Sequence, residues 1–504
     1  MADGRRVVES DAVQRDGGSR PDGQTLPPAS PHHSSLVTRH SSLPDTGARV
    51  HIVGVGGIGT SALARVLLAW GYRVSGSDAA ASALTAALAA EGVAVTIGHR
   101  AEAAAGADLV VYSAAVRDDN PELVAARAAG VPAVKRAELL GLIASARTCL
   151  AVAGTHGKST TTAMLAKIAA DAGRDPTFFV GAIATDFGTN ARPGQGDLVV
   201  VEADEYDRSF LQLRPRVAIV TTIEHDHPDT YPTYEDVLDA FDEFVGQVEP
   251  GGAVVLAADD PGCRALLARR PAPDGVAVVT FGHEAGADWR LEPTGDGAQT
   301  VLRAGAPAAT LRLALPGEHN RRNALAAIAA AARVGIAPMA AATALATFRG
   351  TGRRFEFKGE AAGVAVVDDY AHHPTEVAVN LNAARERFAG RPLWAVFQPH
   401  TYSRTKLLLR EFAAALSAAD RVVLLDIYAA RERDTLGVSA DDLAALLPAP
   451  PLRATTPAEA AALLLDRHRA GELAAGAVVL TLGAGDVWRA GEGLLHGLRE
   501  ARGG

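Results

Sequence analysis

The sequence predicts an α/β protein made of three consecutive domains, each built on a mostly parallel sheet. Three observations carry this expectation. Short apolar runs alternate with helical patterns from about residue 49 onward, as in parallel strands joined by crossover helices. These runs end in glycines, acids, histidines and other polar residues, which in such sheets gather at one edge and form a site. The chain has 504 residues, enough for about three domains at roughly 150 residues each. The motifs place a tail at 1–48, a first domain at 49–146, a central domain at 147–354 and a third at 355–504.

Bulk composition narrows the function classes. With 48% hydrophobic and 21% charged residues the chain is ordinary for a globular protein, and its net charge of −9 argues against a partner in nucleic acid. No apolar run approaches the roughly 18 residues of a membrane helix, and the N-terminus lacks a basic-then-apolar signal, so a cytoplasmic protein without membrane insertion is expected. Cys149 and Cys263 are the two cysteines and imply no disulfide framework. Cys149 lies on an apolar strand and reads as a buried small hydrophobe. The first 48 residues are rich in Ser, Pro, Gly, Asp and Arg and repeat HSSL at 33–36 and 40–43. They show no periodicity and read as a disordered tail, with metal binding by its histidines as a compositional alternative. A start-site artefact is a further reading of this tail; peptides from it in a mass spectrum of the native protein would refute that.

In ARVHIVGVGGIGTSALARVLLAWGYRVSGSD, residues 48–78, an apolar strand runs into Gly54-x-Gly56-x-x-Gly59 and an Ala/Leu-rich helix. A second strand ends at Asp78. Glycines let the backbone approach a diphosphate closely, and the helix N-terminus favours its charge, as in a Rossmann-like domain. An acid about 20 positions on suits the ribose of NAD. From this segment alone, NAD binding and a purely structural turn both stay open. The strand in ADLVVYSAAVRDDNPE also ends in small and polar residues, Ser113 among them, which supports a ligand at the carboxyl edge.

The central domain opens with TCLAVAGTHGKSTTTAMLAKIAADAG, a strand buried on both faces followed by a loop and a helix. The usual phosphate-loop spacing, G-x-x-x-x-G-K-[ST], requires glycine at 152, where this chain has Val152. Gly154 and Gly157 still free the backbone amides to curl around phosphate. Lys158 supplies a mobile charge, and the Ser159 hydroxyl suits magnesium. A Gly-rich strand-to-helix turn without a ligand is the alternative. Two further strands favour the phosphate site: DLVVVEADEYDRSFL stops at Glu202, and RVAIVTTIEHDHPDTY stops at Glu224-His225-Asp226-His227. In a parallel sheet Lys158, Ser159, Glu202 and His227 then meet at one edge. Hydroxyl and carboxylate suit a hard cation, whereas histidine is an unusual magnesium ligand and would act through water or favour manganese.

Beyond a Gly/Ala/Asp-rich stretch of weak pattern, LPGEHNRRNALAAIAAAARVG puts Asn320 and Asn323 on one helix face, where they cap the helix or read a base. FRGTGRRFEFKGE follows with Arg353 and Arg354, a surface pair or a contact to a transferring phosphoryl group. In the third domain, GVAVVDDYAHHPTEV ends a strand at Asp368-Asp369 before His372 and His373, and LWAVFQPHTYSRT ends one at Gln398-Pro399-His400, with Arg404 four residues on. Strands ending at Asp426 and Asp486 complete a second polar edge. Zinc on His372 and His373 is disfavoured, because no Cys or Glu at ligand spacing accompanies them.

Taken in order, HIVGVGGIG, AGTHGKSTTTAM, EADEYDRSFL, IEHDHPDTY, GEHNRRNALAA, GTGRRF, DDYAHHPTE, FQPHTYSRT and DIYAARE resemble the Mur ligases of peptidoglycan synthesis, over nearly all of the chain except the tail. The shortened phosphate loop, Val152 included, is how that family looks. Within it the wording is similar to the branch that joins L-alanine to the lactyl carboxylate of UDP-N-acetylmuramate. The resemblance implies an N-terminal Rossmann-like UDP-binding domain, a central ATPase domain and a C-terminal Rossmann-like domain. It implies ATP and Mg2+ (or Mn2+) as cofactors and small molecules as partners: UDP-N-acetylmuramate, L-alanine and ATP.

By the same resemblance ATP phosphorylates the lactyl carboxylate, and the alanine amine attacks the acyl phosphate. Lys158, Glu202, His227, Arg354 and Asp369 are the implied catalytic set. Gly154, Thr155, His156, Gly157, Lys158, Ser159, Thr160, Asn320, Asn323, Arg354 and Asp369 hold ATP. Ser159, Glu202 and His227 hold metal. Gly56, Gly57, Ile58, Gly59, Asp78 and Ser113 hold the UDP-sugar in place of NAD, and His372, His400 and Arg404 hold the amino acid. Some family members have arginine where this chain has Thr401. The third domain is expected to close on ATP binding. A recycling ligase that attaches a whole tripeptide to the same sugar nucleotide is the nearest rival, but FQPH and IEHDHPDTY are more similar to the alanine branch. An NAD-dependent oxidoreductase leaves the Lys158–His227 edge unexplained, and a non-catalytic nucleotide-binding regulator leaves every filled catalytic position without a purpose.

Overall fold

The computed structural model describes residues 42–113, 115–269 and 273–503. The tail reading over 1–41, with its histidine metal-binding alternative, lies outside these. Ordered contacts begin before the expected start at 48: Leu43 packs on the core, and the Tyr72 hydroxyl donates to the Pro44 carbonyl.

Three sheets follow one another along the chain. The first comprises β1 (Arg49–Val53), β2 (Arg73–Asp78), β3 (Ala94–Ile97), β4 (Leu109–Tyr112) and β5 (Ala133–Lys135), in the order β3-β2-β1-β4-β5 and parallel throughout. The order reverses between β1 and β4, which opens a crevice at their carboxyl ends. Gly54 and Ser113 follow those two strands.

The second sheet contains β6 (Thr148–Ala153), β7 (Thr177–Ala184), β8 (Thr189–Arg192), β9 (Leu198–Glu202), β10 (Val217–Val220), β11 (Ala253–Ala257), β12 (Ala277–Gly282), β13 (Trp289–Pro293), β14 (Gln299–Arg303) and β15 (Ala306–Leu311). Its order is β15-β14-β13-β12-β11-β10-β6-β9-β7-β8, parallel from β7 to β13. The segment of weak pattern therefore forms antiparallel strands at the sheet edge. Strand β10 ends at Val220 rather than at Glu224, because Thr221 and Thr222 leave the ladder to bond the phosphate loop. Cys149 and Cys263 are free and buried, as expected for Cys149.

The third sheet holds β16 (Glu356–Ala361), β17 (Val364–Asp369), β18 (Leu393–Phe397), β19 (Arg421–Leu424), β20 (Leu452–Arg453) and β21 (Val478–Leu482), ordered β16-β17-β21-β18-β19-β20. Only the β16–β17 pair is antiparallel. Strands β19 and β21 stop short of Asp426 and Asp486. One continuous core joins the first two sheets, through Leu139 and Ile143 of the helix Arg136–Ser145 and Leu150 of β6. Fully buried Phe178, Phe210, Phe241 and Phe244 contribute to it, each worth about 1.5–3 kcal/mol over exposure. The third sheet carries a separate apolar cluster on each face.

Candidate active site

The phosphate loop lies between β6 and the helix Lys158–Asp171. Its backbone is fixed by the loop after β10: Thr155 N–H donates to Thr222 O at 2.9 Å, and His156 N–H to Thr222 Oγ1 at 3.1 Å. Gly157 caps the helix at φ +82°, where an added Cβ would stand 2.6 Å from Asn323 Oδ1. The loop and Asn323 therefore approach closely only because residue 157 lacks a side chain.

Lys158 Nζ donates to the carbonyls of Gly154 and Thr155 and to Glu205 Oε1, at 2.7, 3.1 and 2.8 Å. Burial disfavours its charge, but Glu205, Asp204 and Glu202 hold its pKa above the ordinary value. Burial pushes the Glu205 carboxyl up to about 7, against the pull of Lys158. Ser159 Oγ donates to Glu202 Oε1 at 3.0 Å, and the Gly181 N–H to Oε2 at 2.5 Å. His227 Nε2 lies 3.9 Å from Glu205 Oε1. Burial lowers the pKa of His227, which keeps the imidazole neutral and free to ligate. The expected edge is thus assembled from β6, β9 and the loop after β10.

Two cavities meet this edge. One, of about 410 Å³, is lined by Gly54, Gly57, Ile58, Gly59 and Ser113 of the first sheet's crevice and by Gly181, Glu202 and Asp204 of the second. Ile58 is 68% exposed and presents an apolar surface there. Gly56 and Asp78 brace the loop instead, the Gly56 N–H donating to Asp78 Oδ2 at 2.9 Å. The second cavity, of about 140 Å³, is lined by His156, Gly157, Thr160, Asn320, Asn323, Arg354 and Asp369. Neither asparagine caps the helix Glu318–Arg333; the Asn320 amide donates to Pro316 O at 2.7 Å.

The third sheet closes the second cavity. Asp369 accepts the Phe355 and Ala371 N–H groups at 2.6 and 2.7 Å, and burial pushes its pKa up to about 7. Arg354 lies over the Tyr370 ring at 5.2 Å and 3.7 Å from Glu376. Arg353 is committed elsewhere, to Asp368 and the carbonyls of Gly483 and Gly485. His372 and His400 stack edge to face at 5.9 Å, and burial takes their pKa values down to about 3 and 4. Arg404 is buried against Asp226 and reaches His400 Nδ1 at 3.3 Å. Non-glycine residues in the left-handed region gather around this site: His227, Arg353, Phe355 and Thr401 at φ +53°, +57°, +50° and +65°. Such strain, about 1–3 kcal/mol each, persists where the surroundings fix it and is concentrated at functional sites.

Three family models match in order: the Mur ligase family catalytic domain over residues 49–148, the Mur ligase middle domain over 152–331 and the Mur ligase glutamate ligase domain over 353–485. The chain belongs to the Mur ligase family. A UDP-N-acetylmuramate–L-alanine ligase of Renibacterium salmoninarum is 46% identical to this Mur ligase, over 89% of this chain and 96% of that one. The crystal structure of UDP-N-acetylmuramate–alanine ligase from Thermotoga maritima covers 90% of this chain and 99% of its own, at 31% identity and a TM-score of 0.71. A murein peptide ligase from Psychrobacter arcticus shares 26% identity at a TM-score of 0.65, with 90% and 99% covered.

Sequence reasoning missed several groups that hold this Mur ligase site together. Glu205 partners Lys158, and Asp226 partners Arg404. Glu376 accepts from the His372 N–H at 2.9 Å and lies 3.0 Å from His156 Nδ1. A signal existed for Glu376: it stands three residues after His373, the spacing of a capping box, which the helix Pro374–Arg387 adopts.

Proposed function

We propose that this Mur ligase joins L-alanine to the lactyl carboxylate of UDP-N-acetylmuramate with ATP, through an acyl phosphate. One observation carries the reading beyond the relatives. The cavity lined by the first Gly-rich loop is also lined by Glu202, which is hydrogen-bonded to Ser159 of the phosphate loop. A sugar nucleotide with its diphosphate on Gly54–Gly59 therefore delivers its far end to the phosphate-transfer edge. ATP occupies the second cavity, with adenine on the Asn320 and Asn323 side and the β/γ-phosphates on the loop amides and Lys158.

The carboxylate oxygen attacks the γ-phosphorus and ADP leaves. The alanine nitrogen then attacks the activated carbonyl, and phosphate leaves from the tetrahedral intermediate. Lys158 and Arg354 are fixed cations aimed at the charge that develops on the phosphate oxygens. Asp369 positions Phe355 and the turn beside Arg354. Neutral His372 and His400, with Arg404, form the amino-acid end.

The donor set suits magnesium or manganese: a hydroxyl, a carboxylate, a neutral imidazole and the buried, unpartnered Glu205 Oε2 alongside. Ser159, Glu202 and His227 would hold the ion, which when bound neutralises phosphate charge. The reading divides the chain near residues 147 and 355 and places it in the cytoplasm. No helix among the described residues is long and apolar enough to cross a membrane.

Phosphate release from ATP with UDP-N-acetylmuramate tests the reading, comparing L-alanine with L-Ala-γ-D-Glu-meso-diaminopimelate. Release with alanine is expected. Release with the tripeptide alone would make the enzyme a recycling ligase.

A further inference from the structure

We propose that His156, Glu224 and His373 form a binding site for one divalent transition-metal ion of the zinc type, separate from the magnesium edge. The three residues come from three elements: the phosphate loop, the loop after β10, and the N-cap of the helix Pro374–Arg387. The sequence disfavours zinc at the His372–His373 pair for want of a nearby acid, but the fold brings Glu224 to His373 from a different domain. One donor atom from each lies within 4.8 Å of the other two. Glu224 Oε2 is 3.5 Å from both His156 Nε2 and His373 Nδ1. Donors on a tetrahedral zinc ion at about 2.0–2.1 Å stand roughly 3.4 Å from each other, so both pairs already have that spacing. For binding, the two histidines must draw together and His373 Nδ1 must exchange the Thr375 N–H it accepts at 3.4 Å for the ion.

The surroundings are those of a ligand set. His156 Nδ1 faces Glu376 Oε1 at 3.0 Å, and the other oxygen of Glu376 is held by the His372 N–H. A carboxylate behind an imidazole in this way fixes the tautomer and aims the second nitrogen at a metal. That second nitrogen, His156 Nε2, is buried and faces Glu224 Oε2 at 3.5 Å, beyond a well-formed hydrogen bond. Thr375 Oγ1 donates to Glu224 Oε2 at 2.8 Å and orients the carboxylate. Two nitrogens and one oxygen select zinc, cobalt or nickel over magnesium, whose preference is for oxygen alone. A bound ion ties the phosphate loop to the third sheet's first helix, at the wall of the ATP cavity that His156 and Thr375 line.

The test uses the full-length protein, stripped with chelator and held in excess Mg2+ to saturate the oxygen sites. Zn2+ is titrated against a chromophoric chelator, and Co2+ is followed by its visible spectrum. The wild type is compared with Glu224→Gln and His373→Ala; histidines of the N-terminal tail are common to all three and cancel in the difference. The wild type should bind one more zinc ion per chain than either variant. Its cobalt form should show the bands of a four-coordinate complex, which both variants lose. Glu224→Gln keeps the size and one acceptor oxygen of the side chain, so it guards against simple misfolding in His373→Ala. Equal stoichiometry and affinity in wild type and Glu224→Gln, or a six-coordinate cobalt spectrum in the wild type, would overturn the proposal.

Discussion

Arg404 grips Asp226 across the junction of the second and third sheets. Its Nη2 and Nε lie 2.8 and 2.9 Å from the same carboxylate oxygen, and both side chains are 6% exposed. Burial would raise the Asp226 pKa, but the guanidinium holds it well below the usual carboxylate range. Removing one member of a buried pair leaves the other charge without compensation, at a cost of about 3–5 kcal/mol. Asp226→Asn should therefore lower unfolding stability by about that amount in urea. Arg404→Lys should not preserve that stability, since a point charge cannot bridge Asp226 and His400 as the planar fork does. A loss below about 1 kcal/mol in Asp226→Asn would show that the pair is not the clasp between these sheets.

Lys158 has the clearest catalytic expectation. Its ammonium lies in the loop that would hold the β/γ-phosphates and is kept charged by Glu205 at 2.8 Å. Lys158→Ala should lower kcat by at least about 10²–10³-fold, the scale of one lost transition-state donor. Binding of UDP-N-acetylmuramate, measured by calorimetry without ATP, should survive. Normal turnover would remove Lys158 from phosphate transfer.

Through His156, the docking of the third sheet should depend on pH. Burial disfavours its cation, but Glu224 and Glu376 outweigh burial and raise its pKa from 6.5 to about 10. Because the folded-state value is the higher one, this stabilisation is fully present below about 6.5. It fades as the pH rises and is gone above about 10, at about 1.36 kcal/mol per unit of difference. Denaturant unfolding with chelator present should show the wild type losing its advantage over His156→Gln across that window. Parallel stability curves for the two proteins would mean that the imidazolium does not contribute.

Much of this arrangement was legible in the sequence, because parallel strands announce themselves as apolar runs and their ends gather at one edge. Val152 is a case in point. It breaks the common phosphate-loop spacing, yet it lies fully buried within β6, opposite Glu202 in the ladder, where glycine would leave a void. The groups that brace the site were not legible. Lys158 and Glu205 are 47 residues apart, Asp226 and Arg404 178, and His156 and Glu376 220. No local pattern encodes those meetings. Strands β13–β15 were hidden for another reason: they are short, mostly exposed on one face and joined through Gly295, Gly297 and Gly305 in left-handed turns, so apolar alternation is faint.

Gly157 ties the loop backbone to the asparagine pair. At φ +82° a side chain costs about 1–2 kcal/mol, and a Cβ would press on the Asn323 amide 2.6 Å away. Gly157→Ala should raise KM for ATP by about tenfold or more, the equivalent of about 1.4 kcal/mol. KM for UDP-N-acetylmuramate should stay within about twofold. An unchanged ATP dependence would separate Asn323 from the nucleotide site.

Arg136 is the cation that sequence reasoning passed over at the sugar-nucleotide end. It begins the helix Arg136–Ser145, lines the larger cavity, and its Nη1 would stand 3.3 Å from a Cβ added at Gly59. It pairs with no carboxylate among the described residues, so its charge is available to a diphosphate lying on the Gly54–Gly59 loop. A charge-assisted hydrogen bond of about 1.5–3 kcal/mol corresponds to roughly 10–150-fold in affinity. Arg136→Ala should therefore raise KM for UDP-N-acetylmuramate by at least about tenfold, leaving kcat and KM for ATP nearly unchanged, and Arg136→Lys should recover part of the loss. A fall in kcat at saturating sugar nucleotide would instead place the guanidinium nearer the reacting carboxylate. An unchanged KM would mean that the backbone amides of the Gly-rich loop hold the diphosphate without help from Arg136.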